Sequence, residues 1–240
     1  MRLPPAEPVR TPESSLGEAF SWPMRDPEWL RKILLMGLIG LIPIVGWLQL
    51  LGWMLAALDN LRAGHQYLPP AAFRYAGRGV WLFVASLIYG VVALVLFYGV
   101  LGLMVVALIG VTPQSTGTGN ASGTSAAFPL LMFPLMFGSV AVMGLLVLVL
   151  YLFVPLVILF TDRAGLGGAF NIVAFIRAVR LSPKETFAAG AIALVAYLIS
   201  GLGTYLCYVG LLFTIPYSLA VLAGALRWYE VKARPGVLPE

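Results

Sequence analysis

The side chains that could do acid–base, nucleophilic or metal chemistry in this sequence are few and far apart. His65 is the single histidine, set in Ala63-Gly64-His65-Gln66-Tyr67 with Asp59 the nearest carboxylate before it. A general base needs a positioned partner and a substrate within hydrogen-bond reach. A lone loop histidine without an acid beside it reads as a solvated group. Cys207 is the single cysteine, which excludes an internal disulfide and a multi-cysteine metal site. It lies in an apolar run and reads as a small buried hydrophobe. No carboxylate pair, metal-ligand spacing or phosphate-cradling glycine loop is present. The expectation is therefore a protein that is not an enzyme, with no catalytic residue, no metal site and no cofactor.

Two polar groups remain for consideration. Asp59-Asn60 and Thr161-Asp162-Arg163 border apolar runs and read as helix-end groups, with a pairing of Asp59 and Arg163 between elements as the alternative. Gln49 is the one amide inside an apolar run. Ser86, Ser139, Thr204, Thr214 and Ser218 can satisfy their hydroxyls on their own helix backbones. Gln49 follows a Pro43–Gly46 interruption and could bond the carbonyls freed there, a substrate contact being the lesser alternative.

The elements that position these groups follow from composition. Hydrophobic residues make up 60% of the 240 residues and charged residues 10%, against roughly 45–50% and about 25% in soluble domains. A water-soluble fold could not cover that apolar surface with so few charges, so the bilayer is expected as solvent. The net charge of +5 does not gather into the patch that nucleic acid requires; the basic residues stand beside the apolar runs. Residues 1–17 carry prolines and mixed charges without a short apolar core and cleavage site, so a disordered cytoplasmic tail rather than a leader is expected. Residues 18–230 form one integral membrane domain and 231–240 a second tail.

Four runs are free of charge: Ile33–Leu58, Val80–Val111, Phe128–Phe160 and Phe187–Leu226. A spanning helix needs about 20 apolar residues. The second and third each suit one long, tilted helix. Pro155 is tolerable there with a kink, and Pro129 and Pro134 move the start of the third helix to near Leu135. The fourth is long enough for two passes, roughly Pro183–Leu202 and Val209–Tyr229, turning where Gly201, Gly203 and Gly210 permit. Ser182-Pro183-Lys184-Glu185 supplies a cap, a proline at the first helical position and an acid at the third. In the first run, Ile42-Pro43-Ile44-Val45-Gly46-Trp47 leaves two readings open: one kinked pass, or a re-entrant hairpin.

Lys and Arg accumulate on the cytoplasmic side of membrane proteins. Arg25, Arg31 and Lys32 precede the first run, and Arg62, Arg74 and Arg78 follow it. Arg163, Arg177, Arg180 and Lys184 follow the third run, and Arg227, Lys232 and Arg234 the fourth, whereas Thr112–Ala127 carries no charge. That bias favours a hairpin turning at Pro43–Gly46. The predicted architecture is all-α: a polytopic bundle of about four spanning helices, one re-entrant or kinked hairpin, and interfacial amphipathic helices. Both termini are expected in the cytoplasm, in the inner or plasma membrane of a cell.

Ala19-Phe20, Ala72-Phe73 and Ala169-Phe170 each precede an apolar segment, a weak internal repetition. Helical spacing puts Ile172, Val173, Ile176 and Val179 on one face with Arg177 and Arg180 at its margin, as in a helix lying among lipid phosphates. Arg31 and Lys32 are expected to make the same phosphate contacts from a helix capped by Asp26, with Pro27 at its first position. Trp22, Trp29, Trp81, Trp228 and Tyr229 read as an interfacial belt, and Trp47, Tyr205 and Tyr208 as hairpin tips. Ala220 and Gly224, four apart, read as a weak small-residue contact face, and Asn120-Ala121-Ser122 matches a glycosylation sequon.

Several of these stretches carry a resemblance. Ala19-Phe20-Ser21-Trp22-Pro23 with Asp26-Pro27-Glu28-Trp29-Leu30-Arg31-Lys32, and Leu41 to Trp47 running on to Asp59-Asn60-Leu61-Arg62 and Leu68-Pro69, resemble the prokaryotic membrane family called domain of unknown function 4013. Ala169 to Arg180 and Cys207 to Tyr217 are similar to its distal part. The resemblance spans roughly Gly17–Tyr229 and implies a prokaryotic integral membrane protein with no catalytic residues to carry over. The expected role is a non-enzymatic scaffold or accessory subunit whose partners are the lipid bilayer and either a second copy or another membrane protein. The alternatives are a passive channel or transporter for small or lipidic molecules and, remotely, a lipid-acting enzyme.

Overall fold

The computed structural model describes residues 15–111, 124–206, 209–234 and 236–237. The expectations for most of the N-terminal tail, for most of the uncharged loop with its sequon, and for Cys207 and Tyr208 fall outside them.

Among the described residues the protein is all-helical. The elements are α1 (Glu18–Ser21), a 3-10 turn (Trp22–Arg25), α2 (Trp29–Gly40), α3 (Val45–Arg62), α4 (Ala76–Val111), α5 (Thr124–Ala169), α6 (Ile172–Leu181), α7 (Pro183–Leu202), a second 3-10 turn (Gly203–Leu206) and α8 (Leu211–Lys232). Four are long and apolar enough to cross a membrane: Ala76–Val106, Phe137–Ala169, Pro183–Tyr205 and Leu211–Lys232. At 12 residues α2 is only about 18 Å long, short of the roughly 30 Å hydrocarbon core.

The chain divides into two compact units, Met1–Ala85 with Tyr151–Glu240, and Ser86–Leu150. In the larger unit α8 is the central element, with α1, α2, α3 and α7 packed on it. Close backbone approach explains several glycines there. A Cβ at Gly37 would overlap the carbonyl of Leu212, and one at Gly190 the carbonyl of Leu152. Ala220 and Gly224 do form a contact face, and its occupant is Trp22: the indole Nε1 donates to the Ala220 carbonyl at 3.1 Å and the ring lies over Gly224. Trp22 and Tyr229 are fully buried, so neither belongs to an interfacial belt, whereas Trp81 is exposed. In the smaller unit Leu96, Val100 and Leu101 of α4 face Val142, Met143 and Leu146 of α5. Leu94, Val95, Leu103, Val140 and Leu145 are exposed.

Several boundaries differ from expectation. α5 begins at Thr124 rather than near Leu135, since proline within a membrane helix does not by itself end it. Its interruption falls at Gly165 (φ 62°, ψ −152°) instead of Pro155, and the chain turns back so that Gly168 lies against the Phe160 carbonyl. α7 starts at Pro183 as expected, but the Ser182 hydroxyl does not cap it; it accepts the Arg234 amide at 3.0 Å. α8 starts at Leu211 and ends at Lys232, not Val209 and Tyr229. Among the described residues only α6 stands as a separate amphipathic helix. Trp29 opens a helix that runs straight into the first apolar run, and Ala72-Phe73 lies in non-helical chain.

Candidate functional site

The first apolar run is two helices. Between them Val45 N donates to the Pro43 carbonyl at 2.6 Å around Ile44, whose φ of 63° and ψ of −60° describe a γ-turn of the strained hand. A β-branched residue at positive φ is an outlier that its surroundings must hold in place. Gly46 is required beside it, since a Cβ there would overlap the carbonyls of Ile39 and Gly40. The apolar tip is open: Leu41, Ile44, Val45 and Trp47 are exposed.

The two ends of this hairpin lie together. Arg25 Nη1 donates to Gln66 Oε1 at 3.0 Å and Lys32 Nζ to the Leu68 carbonyl at 3.0 Å, while the Leu68 amide donates to Asp26 Oδ2 at 2.9 Å. Asp26, 2% exposed, also receives Lys32 Nζ at 2.7 Å and the Glu28 amide at 2.9 Å. Because α2 starts at Trp29, with Glu28 as its N-cap, the Asp26 bond to the Glu28 amide closes the turn before the helix and not a helix beginning at Pro27. Nor is Lys32 free for a lipid phosphate, because Asp26 and Leu68 consume it. Arg31 is exposed, with Glu28 at 3.9 Å.

From Leu68 the non-helical chain runs back along α3, and side chains satisfy its backbone at four points. Trp53 Nε1 donates to the Pro69 carbonyl at 3.0 Å, and the Tyr75 hydroxyl to the Pro70 carbonyl at 2.9 Å. Gln49 completes the series: its Nε2 donates to the Phe73 carbonyl at 2.5 Å and its Oε1 accepts the Tyr75 amide at 2.9 Å. Gln49 thus bonds the non-helical segment before α4, not the carbonyls freed at the Pro43–Gly46 break. Gly52 and Gly79 let the backbones meet there, against the Tyr75 and Leu48 carbonyls. Unsatisfied peptide groups away from water are costly, which is why these polar side chains are needed among apolar ones.

A second constellation joins the helix ends. Arg62, closing α3, spreads its guanidinium over three carboxylates: Nε and Nη2 fork onto Glu230 at 3.0 and 2.5 Å, and Nη1 reaches Asp162 at 2.8 Å and Asp59 at 3.0 Å. Arg78 Nη2 bridges Asp59 at 2.8 Å and Asp162 at 3.1 Å, while Arg163 and Arg227 approach Glu230 at 3.1 and 3.7 Å. The Glu230 and Asp162 side chains are only 4% and 6% exposed. Burial works against the Arg62 charge, but hydrogen bonds and charges from Glu230 and Asp162 outweigh it and hold the group protonated. Asp59 and Asp162 are thus members of one network, with Arg62 and Arg78 as the hub that reading segments one at a time missed. Their only signal was that each closes or opens an apolar run.

At the α7–α8 turn the three expected glycines differ. Gly203 is the close-packed one, since a Cβ would meet Thr214 Oγ1 and the Leu211 amide; Gly201 faces open space, and Gly210 has ordinary helical φ. Tyr205 is exposed at that tip. Arg177 and Arg180 are exposed on α6, which Asn171 caps by accepting the Ala174 amide at 3.0 Å. Val179 packs on the core, leaving Ile172, Val173 and Ile176 as the open face. His65 lies on an exposed loop. Among the described residues no three His, Cys, Asp or Glu side chains group to hold a metal.

No curated protein and no solved structure matches this chain. A family model described as "Protein of unknown function (DUF4013)" matches residues 35–225. That stretch takes in the α2–α3 turn, Gln49, the hub arginines and most of α8; with its four span-length apolar helices the chain is an integral membrane protein, and it belongs to this family of unknown function.

Proposed function

We propose that the protein is a non-enzymatic scaffold or accessory subunit of the cell membrane, crossing it four times with both termini and the ion-pair network on the cytoplasmic side. The observation that carries this reading is how the conspicuous polar groups are spent. Gln49, Trp53 and Tyr75 are committed to the backbone of residues 69–75. Asp162 and Glu230 are committed to arginines. Thr161 and Ser218 donate back to their own helix, at the Val157 and Ile215 carbonyls. Such a unit is built to be held still. The exposed apolar residues of Ser86–Leu150 supply surface for lateral association with a second copy or another membrane protein.

Photo-crosslinking from Leu94, Val95, Val140 and Leu145 in native membranes tests the reading. A discrete protein adduct is the expected outcome; lipid adducts alone, with a monomer on extraction, would overturn it. One observation favours the passive channel or transporter instead, the strained Ile44 turn between broken helices, the kind of place where transporters put binding sites. Flux or lipid scrambling in reconstituted vesicles that a Gly46 or Gln49 substitution abolishes would decide for that alternative.

A further inference from the structure

The larger unit carries a group of cations that no carboxylate among the described residues neutralises. Arg62, Arg78, Arg163 and Arg227 are occupied by the network and Lys32 by Asp26. Arg177, Arg180, Lys184 and Lys232 are exposed, and among the described residues no carboxylate is within ion-pair distance of them. Folding brings these residues from two distant stretches to one corner. The Arg234 amide on the Ser182 hydroxyl at 3.0 Å sets the end of α8 against the α6–α7 junction, two residues from both Arg180 and Lys184. The stretch between Asp162 and Glu185 contains no acid at all.

Two further facts narrow the ligand. Lys184 lies in the first turn of α7, where the helix dipole disfavours a cation and Glu185, the next residue, is the one acid. The neighbouring α6 presents Ile172 (68% exposed), Val173 (70%) and Ile176 (49%) on the face it shares with Arg177 and Arg180. An anion alone explains the cations but leaves those branched side chains in water. A nucleic acid has the same shortcoming. An amphiphile whose phosphate sits beside its acyl chains satisfies both.

We infer that Arg177, Arg180, Lys184, Lys232 and Arg234 form a binding site for anionic glycerophospholipid headgroups, with Ile172, Val173 and Ile176 inserted among the acyl chains. Each basic side chain near an anionic surface contributes about fivefold to the preference for it. Neutralising four of them is therefore worth roughly several hundredfold.

The test uses the full chain purified in mild detergent, with bound lipid counted by native mass spectrometry against phosphatidylglycerol and phosphatidylcholine vesicles. The expected result is selective retention of phosphatidylglycerol, weakening steeply as salt rises, and lost in the R180Q/K184Q/K232Q/R234Q variant. Glycerol phosphate, which lacks acyl chains, should fail to displace the lipid at equal concentration; full displacement would assign the site to free phosphates and overturn the lipid reading. Equal retention of both lipids, or a preference indifferent to salt, would overturn it in the wild-type protein alone, whatever the variant's folding. Displacement of the lipid by single-stranded RNA at matched phosphate would do the same.

Discussion

Replacing Arg62 by methionine removes the fork onto Glu230 and the contacts to Asp162 and Asp59 while keeping an apolar side chain of similar length. Breaking a buried ion pair from one side typically costs about 3–5 kcal/mol, because a charge is left buried without its partner. Here the lower end applies. Glu230 keeps Arg163 at 3.1 Å and Arg227 at 3.7 Å, and Asp162 keeps Arg78 at 3.1 Å. A loss of about 3 kcal/mol corresponds to a melting-temperature drop of roughly 6–12 °C for a chain of this size. Glu230→Met leaves Arg62 on Asp162 and Asp59, so it should cost less, about 2 kcal/mol. In the double variant the two losses should overlap by about 2 kcal/mol, the signature of direct contact. Arg62→Lys keeps the charge but not the fork and should fall between wild type and R62M. Thermal unfolding at fixed detergent and lipid content reads all four. A drop under about 2 °C for R62M, or strict additivity in the double variant, would refute the claim that this hub holds the helix ends together.

Ile44→Gly should stabilise the protein by about 1 kcal/mol, since glycine adopts the positive φ without the side-chain strain; a lower melting temperature would show that the turn is not strained. Gly46→Ala should destabilise by about 1–3 kcal/mol through overlap with the Ile39 and Gly40 carbonyls. Gly201→Ala, facing open space within α7, should be neutral or stabilising by up to about 1 kcal/mol in the same melts. Gln49→Leu leaves the Phe73 carbonyl and Tyr75 amide without their bonds and should cost about 3 kcal/mol, with faster hydrogen exchange at Tyr75 as its specific mark. Cysteines placed at exposed Glu28 and His65 should react with an impermeant maleimide from the same face of sealed vesicles; labelling from opposite faces would rule out the returning hairpin.

Local signals were the legible ones. Ser182-Pro183 marks the start of α7 because a proline needs no amide partner in the first turn, and Pro43 to Gly46 marks the break because no helix runs smoothly through it. The class of the fold followed from composition and the length of the apolar runs. What stayed hidden was pairing across distance. Arg62 and Glu230 are 168 residues apart, and nothing in either neighbourhood names the other. Lys32 beside a membrane run looks like a phosphate contact until Asp26 and Leu68 fold against it. Gln49 illustrates the same limit: its polarity was a sound signal of backbone in need of a partner, but the backbone lay 24 residues downstream. Gly37, Gly52 and Gly190 pack singly against backbone, so no small-residue spacing announced them.

The seat of Trp22 bears on how the protein is made. Its indole is fastened to Ala220, 198 residues later, and the Phe20 carbonyl accepts the Tyr217 hydroxyl at 2.9 Å. α2 depends on α8 too, through Gly37. At about 5–20 residues per second, the ribosome needs roughly 10–40 s to deliver α8 after α1. Through that interval the α1 segment and the α2 half of the hairpin are inside or beside the bilayer with their final neighbour still unmade. The last helix is thus the keystone of biogenesis, and a ribosome stalled before residue 210 would leave a nascent chain whose α1 and α2 can close only on α3 and residues 66–68, without their α8 seat.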